Sequence, residues 1–137
     1  MEKNQFQKSE RVSIRRVVPN IPSMDMEKSR KFYEDFLGFV LAMDMEWIMT
    51  FVSPDNPTAQ LSVVKTAEPI PSAQDITITV EVADVDHVHE KAVELGINII
   101  YPLSTESFGV RRFGVKDPSG VLINVMSHHK KGDEKHG

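Results

Sequence analysis

Two adjacent arginines, Arg111 and Arg112, are the residues best suited to hold a charged ligand. They lie in a β-rich run, and successive side chains of a strand point to opposite faces, so we expect only one of them to face a ligand. A guanidinium group binds a carboxylate, phosphate or phenolate through paired hydrogen bonds. A surface arginine paired with Glu106 or Asp117 is an equal alternative at this point.

The arginines belong to a predicted β-hairpin over residues 108–128. The central Asp117-Pro118-Ser119-Gly120 suits a type I turn, with runs rich in Val, Ile and Phe on both sides. Alternation in the second arm separates a β-branched face from a mixed face, and we predict that the first is core and the second functional. The core face consists of Val121, Ile123 and Val125, and the functional face of Leu122, Asn124 and Met126.

Composition limits the classes of function. The 137 residues suffice for one domain, and a net charge of −4 argues against nucleic acid or an anionic membrane as partner. The absence of cysteine excludes disulfides, thiolate catalysis and cysteine metal sites. Residues 1–13 have no apolar signal region, and no apolar run approaches the roughly 20 residues of a membrane helix. We therefore expect a cytoplasmic protein.

The element order repeats along the chain. An Asp cap, a helix, Leu-Gly and a β-rich run occur at Asp25–Phe39 and again at Asp84–Ile97, offset by about 58 residues. The predicted helices span 25–37 and 84–95. The predicted strands are 14–21, 39–45, 47–53, 59–65, 76–82, 97–101, 108–116 and 121–127.

Each half is therefore β-α-β-β-β. We predict a single domain over 14–128 made of two such modules, about 14–66 and 75–128, between a loose arm (1–13) and a disordered tail (129–137). His128, His129 and His136 lie at the end of the chain, where we expect nothing to fix their geometry for a metal.

Three motifs resemble the vicinal oxygen chelate superfamily of glyoxalases, bleomycin-resistance proteins and extradiol dioxygenases. They are the first helix with its cap (23–39), the strand–helix junction 81–86, and the hairpin from Phe108 through Asp117-Pro-Ser-Gly. The resemblance covers about residues 14–128. It implies an α+β fold in which two βαβββ modules form a cup-shaped mixed β-sheet with helices outside. It also implies a ligand or metal in the cup, and often a homodimer.

Strand alternation combined with this resemblance predicts the lining of the cup. Polar residues on the strand faces opposite the core would serve as anchors, and apolar and aromatic residues as walls. The predicted ligand-binding residues are Asn20, Trp47, Met49, Phe51, Ser62, Thr77, Thr79, Phe108, Arg111, Arg112, Leu122, Asn124 and Met126.

The superfamily's metal ligands are not matched. Its four ligand positions correspond here to Val18, Ser62, Thr77 and Asn124. Valine has no donor atom, and neutral Ser, Thr and Asn are poor ligands for Zn²⁺, Ni²⁺ or Fe²⁺ compared with imidazole and carboxylate. His87 and His89 lie two apart on the predicted second helix, so they do not face one side, and we expect both on its solvent face. We therefore predict no metal and no other cofactor.

Three functions remain open. The first is a metal-free cup that binds a small organic molecule. The second is an enzyme, either a lyase or isomerase with Glu81 as general base, or a dioxygenase-type metal enzyme if the ligand register is displaced. The third is a regulatory or scaffold dimer with no ligand.

Overall fold

The computed structural model describes residues 12–128, and the predicted arm up to residue 11 and the predicted tail 129–137 lie outside them. The first half contains β1 (Asn20–Ser23), α1 (Met26–Lys31), a π-helical turn (Phe32–Phe36), β2 (Val40–Asp44), β3 (Ile48–Val52) and β4 (Gln60–Lys65). The second half follows a 3₁₀ turn (Pro71–Asp75) and contains β5 (Thr77–Glu81), α2 (Val85–Glu94), β6 (Ile99–Thr105), β7 (Val110–Lys116) and β8 (Leu122–His128).

Each half forms its own four-stranded mixed sheet. The strand order is β1-β4-β3-β2 in the first sheet and β5-β8-β7-β6 in the second. In both, the first strand runs parallel to the last strand of its module, and the remaining pairs are antiparallel. The predicted α+β fold of two βαβββ modules is confirmed.

The two helices begin and end with the same devices. Asp25 and Asp84 have extended backbones, and their carboxylates accept hydrogen bonds from the amides of Lys28 and His87. Gly38 and Gly96 follow the helices with φ of +80° and +72°, a conformation that other residues avoid.

The first helix is one residue longer than the second between these landmarks. Gly38 follows Asp25 by 13 positions, whereas Gly96 follows Asp84 by 12. The π-helical turn occurs only in the first helix, and its wider hydrogen-bonded turn accommodates the additional residue. Phe32, Tyr33 and Phe36 are consequently all buried in one turn.

The two modules share one hydrophobic core. It contains the helix-covered faces of both sheets, with Leu61 and Val63 from the first and Phe113 and Val125 from the second. A buried hydrogen bond joins the modules, because the Tyr33 hydroxyl donates to Oδ2 of Asp117 at 2.6 Å. The Ser119 hydroxyl, in the same turn as Asp117, also donates to the carbonyl of Pro22.

The predicted first strand was misplaced. We expected it over 14–21, but β1 spans Asn20–Ser23, and before it only Val17 forms an isolated bridge, with Ala59. The first strand starts late because its partner does: β4 begins at Gln60, so residues before Pro19 have almost no strand beside them.

Among residues 12–128, no helix is long and apolar enough to cross a membrane.

Candidate functional site

Each sheet has one face turned away from the shared core, which we call its open face. On the first sheet the open face is formed around Asn20, Thr50 and Ser62, and on the second around Thr79, Asn124 and Arg112. These six residues are either predicted site residues or direct strand partners of one. The candidate site is therefore divided between two surfaces of the chain.

The open face of the first sheet carries a small polar group at its centre. Asn20 lies opposite Ser62 in the parallel pair, and Thr50 lies opposite Ser62 in the antiparallel pair. The hydroxyl oxygens of Thr50 and Ser62 are 2.8 Å apart, and Ser62 is 3% exposed. Ile48, Val52 and Val64 surround this group with partly buried apolar side chains.

Met49 and Phe51 do not belong to this face, contrary to our expectation. They lie opposite Val63 and Leu61, so they share the helix-covered side of the sheet. Phe51 is fully buried and packs against the ring of Tyr33 at a centroid distance of 5.7 Å. Both residues therefore stabilise the core and are unavailable to a ligand at the open face.

The open face of the second sheet has an amide at its centre. Thr79, Asn124 and Gly114 occupy one row across three strands. Asn124 Nδ2 donates to the Thr79 hydroxyl at 3.3 Å, while its Oδ1 is buried without a hydrogen-bond partner in the described part of the chain. The flanking rows contain Thr77 with Leu122 and Glu81 with Met126, as their positions in the sequence predicted.

An aromatic ring covers the same row from the neighbouring strand. Tyr101 lies opposite Gly114, and its ring is so close that a Cβ added to Gly114 would lie 2.5 Å from Tyr101 Cδ2. The absence of a side chain at position 114 thus allows the ring to approach the backbone of β7 closely. Tyr101 is still 49% exposed, so it forms part of the surface that a ligand would meet.

The structure distinguishes the two arginines. Arg111 lies on the helix side, where its Nε and Nη2 contact the Asp86 carboxylate of α2 at 2.9–3.2 Å. That hydrogen bond raises the pKa of Arg111. Arg112 lies opposite Met126 on the open face, with its Nε 3.3 Å from Glu106. Arg111 therefore lies outside the candidate site, and Arg112 supplies the guanidinium group that is available to a ligand.

Glu81 has an unexpected neighbour on the open face. Its Oε2 lies 2.9 Å from Nδ1 of His128, the last residue of β8, and both side chains are about 60% exposed. From the sequence we expect His128 to lie at the end of the chain without a fixed geometry, but it is held in the sheet opposite Val110. A carboxylate and an imidazole in contact form a pair of the kind that transfers protons in general acid–base catalysis.

Two predicted aromatic residues lie at equivalent hairpin tips. Trp47 precedes β3 and is 57% exposed, and Phe108 precedes β7 and is 71% exposed. Neither is part of the shared core. Both can contact solvent or a ligand, and they lie beside their respective sheets rather than in the central rows.

Comparison with known proteins identifies the family. The model of the family described as "Glyoxalase/Bleomycin resistance protein/Dioxygenase superfamily" matches residues 13–125 of this chain. The chain belongs to this superfamily. No protein with curated annotation matches the sequence.

Solved structures of superfamily type share the fold at low sequence identity. A bleomycin resistance determinant encoded on the transposon Tn5 superposes with a TM-score of 0.69 at 19% identity, covering 85% of this chain and 100% of that one. A bleomycin-binding protein complexed with bleomycin gives a TM-score of 0.67 at 19% identity, over 85% and 100% of the two chains. TioX from Micromonospora sp. ML1 gives 0.71 at 20% identity, over 82% and 98%.

The side chains at the superfamily's metal positions do not form a metal site. Val18 precedes β1, the Ser62 side chain is hydrogen-bonded to Thr50, and the Asn124 side chain is hydrogen-bonded to Thr79. Thr77, at the fourth position, is exposed one row away from Asn124. Within residues 12–128, no three His, Asp or Glu side chains are grouped so that they could hold an ion. A divalent metal needs about three such donors, so the donor set does not fit one.

Three residues of the open faces, Thr50, Tyr101 and His128, are not among the predicted site residues. His128 shares its alternation with Asn124 and Met126, so the same counting could have found it. Thr50 alternates with Met49 and Phe51, so placing those two on the ligand side excluded it. Tyr101 could not be found by alternation, because β6 pairs with β7 through register shifts between Ile99 and Ser104. Glu106, which the sequence offered as a partner for an arginine, contacts Arg112. His89 also differs from expectation, since its ring packs edge-on against Phe113 at 5.0 Å.

Proposed function

We propose that this superfamily member binds a small organic molecule against the open faces of its sheets without using a metal ion. The observation that carries the proposal is the central row of the second open face. There an amide oxygen of Asn124 has no hydrogen-bond partner within residues 12–128, Thr79 and Gly114 flank Asn124, and the Tyr101 ring lies against Gly114. Arg112 lies in the next row of the same face. A surface with apolar area and a few converging polar groups is typical of ligand sites.

The charge distribution supports an electron-rich or anionic ligand group. Arg112 contacts a single carboxylate oxygen of Glu106 at 3.3 Å, which leaves the other guanidinium donors able to bind. The bleomycin-binding relative supports ligand binding by this fold, although at 19% identity it does not indicate which ligand this chain takes.

The test is a thermal-shift screen of small organic compounds, with bleomycin as the first probe. We expect at least one compound to raise the melting temperature in a saturable way. Arg112→Met should weaken its binding by about 1.5–3 kcal/mol, as the loss of a hydrogen bond to a charged group does. Arg111→Met is the matched control, and it should leave the dissociation constant unchanged because that side chain binds Asp86. An equal change of the dissociation constant in both variants would contradict the placement of the ligand beside Arg112.

Elemental analysis tests the absence of a functional metal. We expect a chain truncated after His128 to retain no stoichiometric Zn²⁺, Ni²⁺, Mn²⁺ or Fe²⁺. The truncation removes His129 and His136, which are able to bind metal non-specifically, but preserves His128 in β8. One tightly held ion per truncated chain would favour a metalloenzyme instead.

A metal-independent lyase or isomerase is the second candidate, and the contact of Glu81 with His128 favours it. Glu81→Gln would then abolish turnover of a bound ligand while leaving its affinity nearly unchanged. If the ligand is recovered unaltered from the wild-type protein, the binding function stands alone.

A further inference from the structure

A cleft lies between the two modules at the end of β1. Its walls come from the start of α1, the linker after β4, the 3₁₀ turn and the turn between β7 and β8, and its volume is about 360 Å³. This volume is within the range of small-molecule sites. None of Thr50, Ser62, Thr79 and Asn124 lines it, so the cleft is separate from the centres of both open faces.

The walls of the cleft are largely apolar and rigid. Pro69, Pro71 and Pro118 line it, and each proline ring fixes its own backbone angle φ. Met24 and Ile70 add apolar side chains to the lining, and they are 58% and 44% exposed. A bound apolar group would remove this surface from water without requiring the proline segments to be ordered first.

Thr66 lines the cleft and has an unsatisfied hydroxyl. Its Oγ1 is buried and has no hydrogen-bond partner among residues 12–128, while its backbone N–H donates to the carbonyl of Ser23 at 2.8 Å. A buried polar group without a partner is destabilising. A polar ligand atom that bonded to this hydroxyl would remove that cost.

Lys28 supplies a positive charge to the same cleft. Its ammonium group takes part in none of the ion pairs formed within residues 12–128. The carboxylate of Asp25, which also lines the cleft, caps α1 by accepting the backbone N–H of Lys28. The lysine side chain is thus able to bind an anion.

We propose that the cleft is a second ligand site, for a small carboxylic acid with an apolar body. The carboxylate is held by the Lys28 ammonium group and the Thr66 hydroxyl, and the body lies against the proline walls. This site goes beyond the proposed function, because it uses neither open face and involves both modules.

Phenylacetate is the probe for this proposal. Titrated into the ¹⁵N-labelled full chain, it should cause saturable shifts of the amide resonances of Thr66, Gln74 and Ser119, which line the cleft. Phenylethanol has the same ring without the charge, so it should bind about tenfold more weakly, which corresponds to about 1.4 kcal/mol. Equal affinity for the two probes, shifts confined to the open faces, or no saturable shift would each overturn the proposal.

Two pairs of variants locate the interaction. Lys28→Met should raise the phenylacetate dissociation constant about tenfold, whereas Lys31→Met should not, because Lys31 is exposed outside the cleft. Thr66→Val should weaken binding and Thr66→Ser should restore it, since serine retains the hydroxyl. Unchanged binding in both Lys28→Met and Thr66→Val would overturn the assignment even if the probe bound. Arg112→Met should leave phenylacetate binding intact, so failure here is distinct from failure of the open-face site.

Discussion

The hydroxyl of Tyr33 and the carboxylate of Asp117 meet in the interior, 84 positions apart in the sequence. Burial raises the pKa of Tyr33, and the nearby Asp117 charge raises it further, so the phenol stays protonated and acts as a donor. Asp117 Oδ1 also accepts the backbone N–H groups of Ser119 and Val121. One carboxylate therefore organises its own turn and joins it to the other module.

Removing the Tyr33 hydroxyl should destabilise the whole chain. We expect Tyr33→Phe to lower the free energy of unfolding by about 1–3 kcal/mol, because it leaves a buried carboxylate oxygen without its donor. Urea unfolding followed by circular dichroism measures the change. The control is Tyr101→Phe, the other tyrosine of the chain, which is 49% exposed and should be nearly neutral. Similar losses in both variants would contradict the role assigned to the buried pair.

Asp117 should also give the chain a specific dependence of stability on pH. Burial raises its pKa, and this outweighs the hydrogen bonds from Tyr33 and the backbone, which lower it. The folded state then binds a proton more readily than the unfolded state, whose Asp pKa is near 3.8. The stability that Asp117 contributes is therefore fully present below the unfolded pKa and declines as pH rises through the folded pKa.

Comparison with Asp117→Asn isolates this contribution. The difference in unfolding free energy, wild type minus variant, should fall as the pH is raised from the unfolded pKa through the folded one. Asparagine keeps an acceptor oxygen for the turn but does not titrate in this range. A difference that grows with pH would mean that the hydrogen bonds outweigh burial.

At the scale of residues, the sequence predicted which side chains face the core better in β8 than in β3. In the second arm of the 108–128 hairpin the core face was predicted correctly, because the fully buried Val121, Ile123 and Val125 contrast with an amide on the other side. In β3 both faces contain large apolar side chains, so alternation alone did not show that Met49 and Phe51 are buried. Their pairing with β4 decides the face, and pairing depends on the register of the hairpin. For the same reason the sequence did not show which arginine faces the core.

At the scale of elements, the contact of β6 with β7 is unusually close at one point. Gly114→Ala would place a methyl group against the Tyr101 ring, and we expect a loss of about 1–3 kcal/mol in the free energy of unfolding. A double variant, Gly114→Ala with Tyr101→Ala, should lose less than the sum of the two single variants, because the clash is gone. Additive losses, measured by urea unfolding, would show that the ring does not cause the strain.

Element boundaries were predicted least well where partners decide them. The apolar residues of 14–18 indicated a strand, but β4 does not extend far enough to pair with them beyond the isolated bridge at Val17. The π-helical turn was not predicted either, although the extra residue between the cap and the glycine is visible in the sequence. An insertion in a helix can be absorbed by a wider turn or by a loop, and only packing of Phe32, Tyr33 and Phe36 selects the turn.

At the scale of the molecule, the uncovered open faces lead us to expect a homodimer. Val40, on the open face of the first sheet, is 48% exposed, and neighbouring Met43 is 40% exposed. Sedimentation at micromolar concentration should give twice the chain mass of 15.5 kDa. Val40→Lys should shift the mass toward the monomer by placing a charge in the interface. A wild-type mass near 15.5 kDa would refute the dimer.

The control for that experiment is Val93→Lys. Val93 lies on α2 and is 61% exposed, so it has similar chemistry on the opposite side of the second sheet. It should leave the mass unchanged. Equal dissociation by both variants would place the contact elsewhere or indicate a general effect of charge.

The overall architecture was predictable because the repeated cap, helix and Leu-Gly pattern defines two equal modules. The relation between the modules was not predictable. Alternation indicates which face of each sheet is buried, but not that one common core covers both. Residues such as Tyr33 and Asp117, distant in sequence and unlike in chemistry, determine that relation.

The additional residue of the first helix makes the two halves of the chain non-equivalent. It lies in the turn that buries Tyr33, whereas the aligned region of the second helix has Lys91 and the buried Ala92. A chain assembled from two copies of the second module would present no hydroxyl to Asp117 and would leave that carboxylate without its donor across the module boundary. The two halves are therefore no longer equivalent, and repeating either one in place of the other would remove the hydrogen bond between Tyr33 and Asp117.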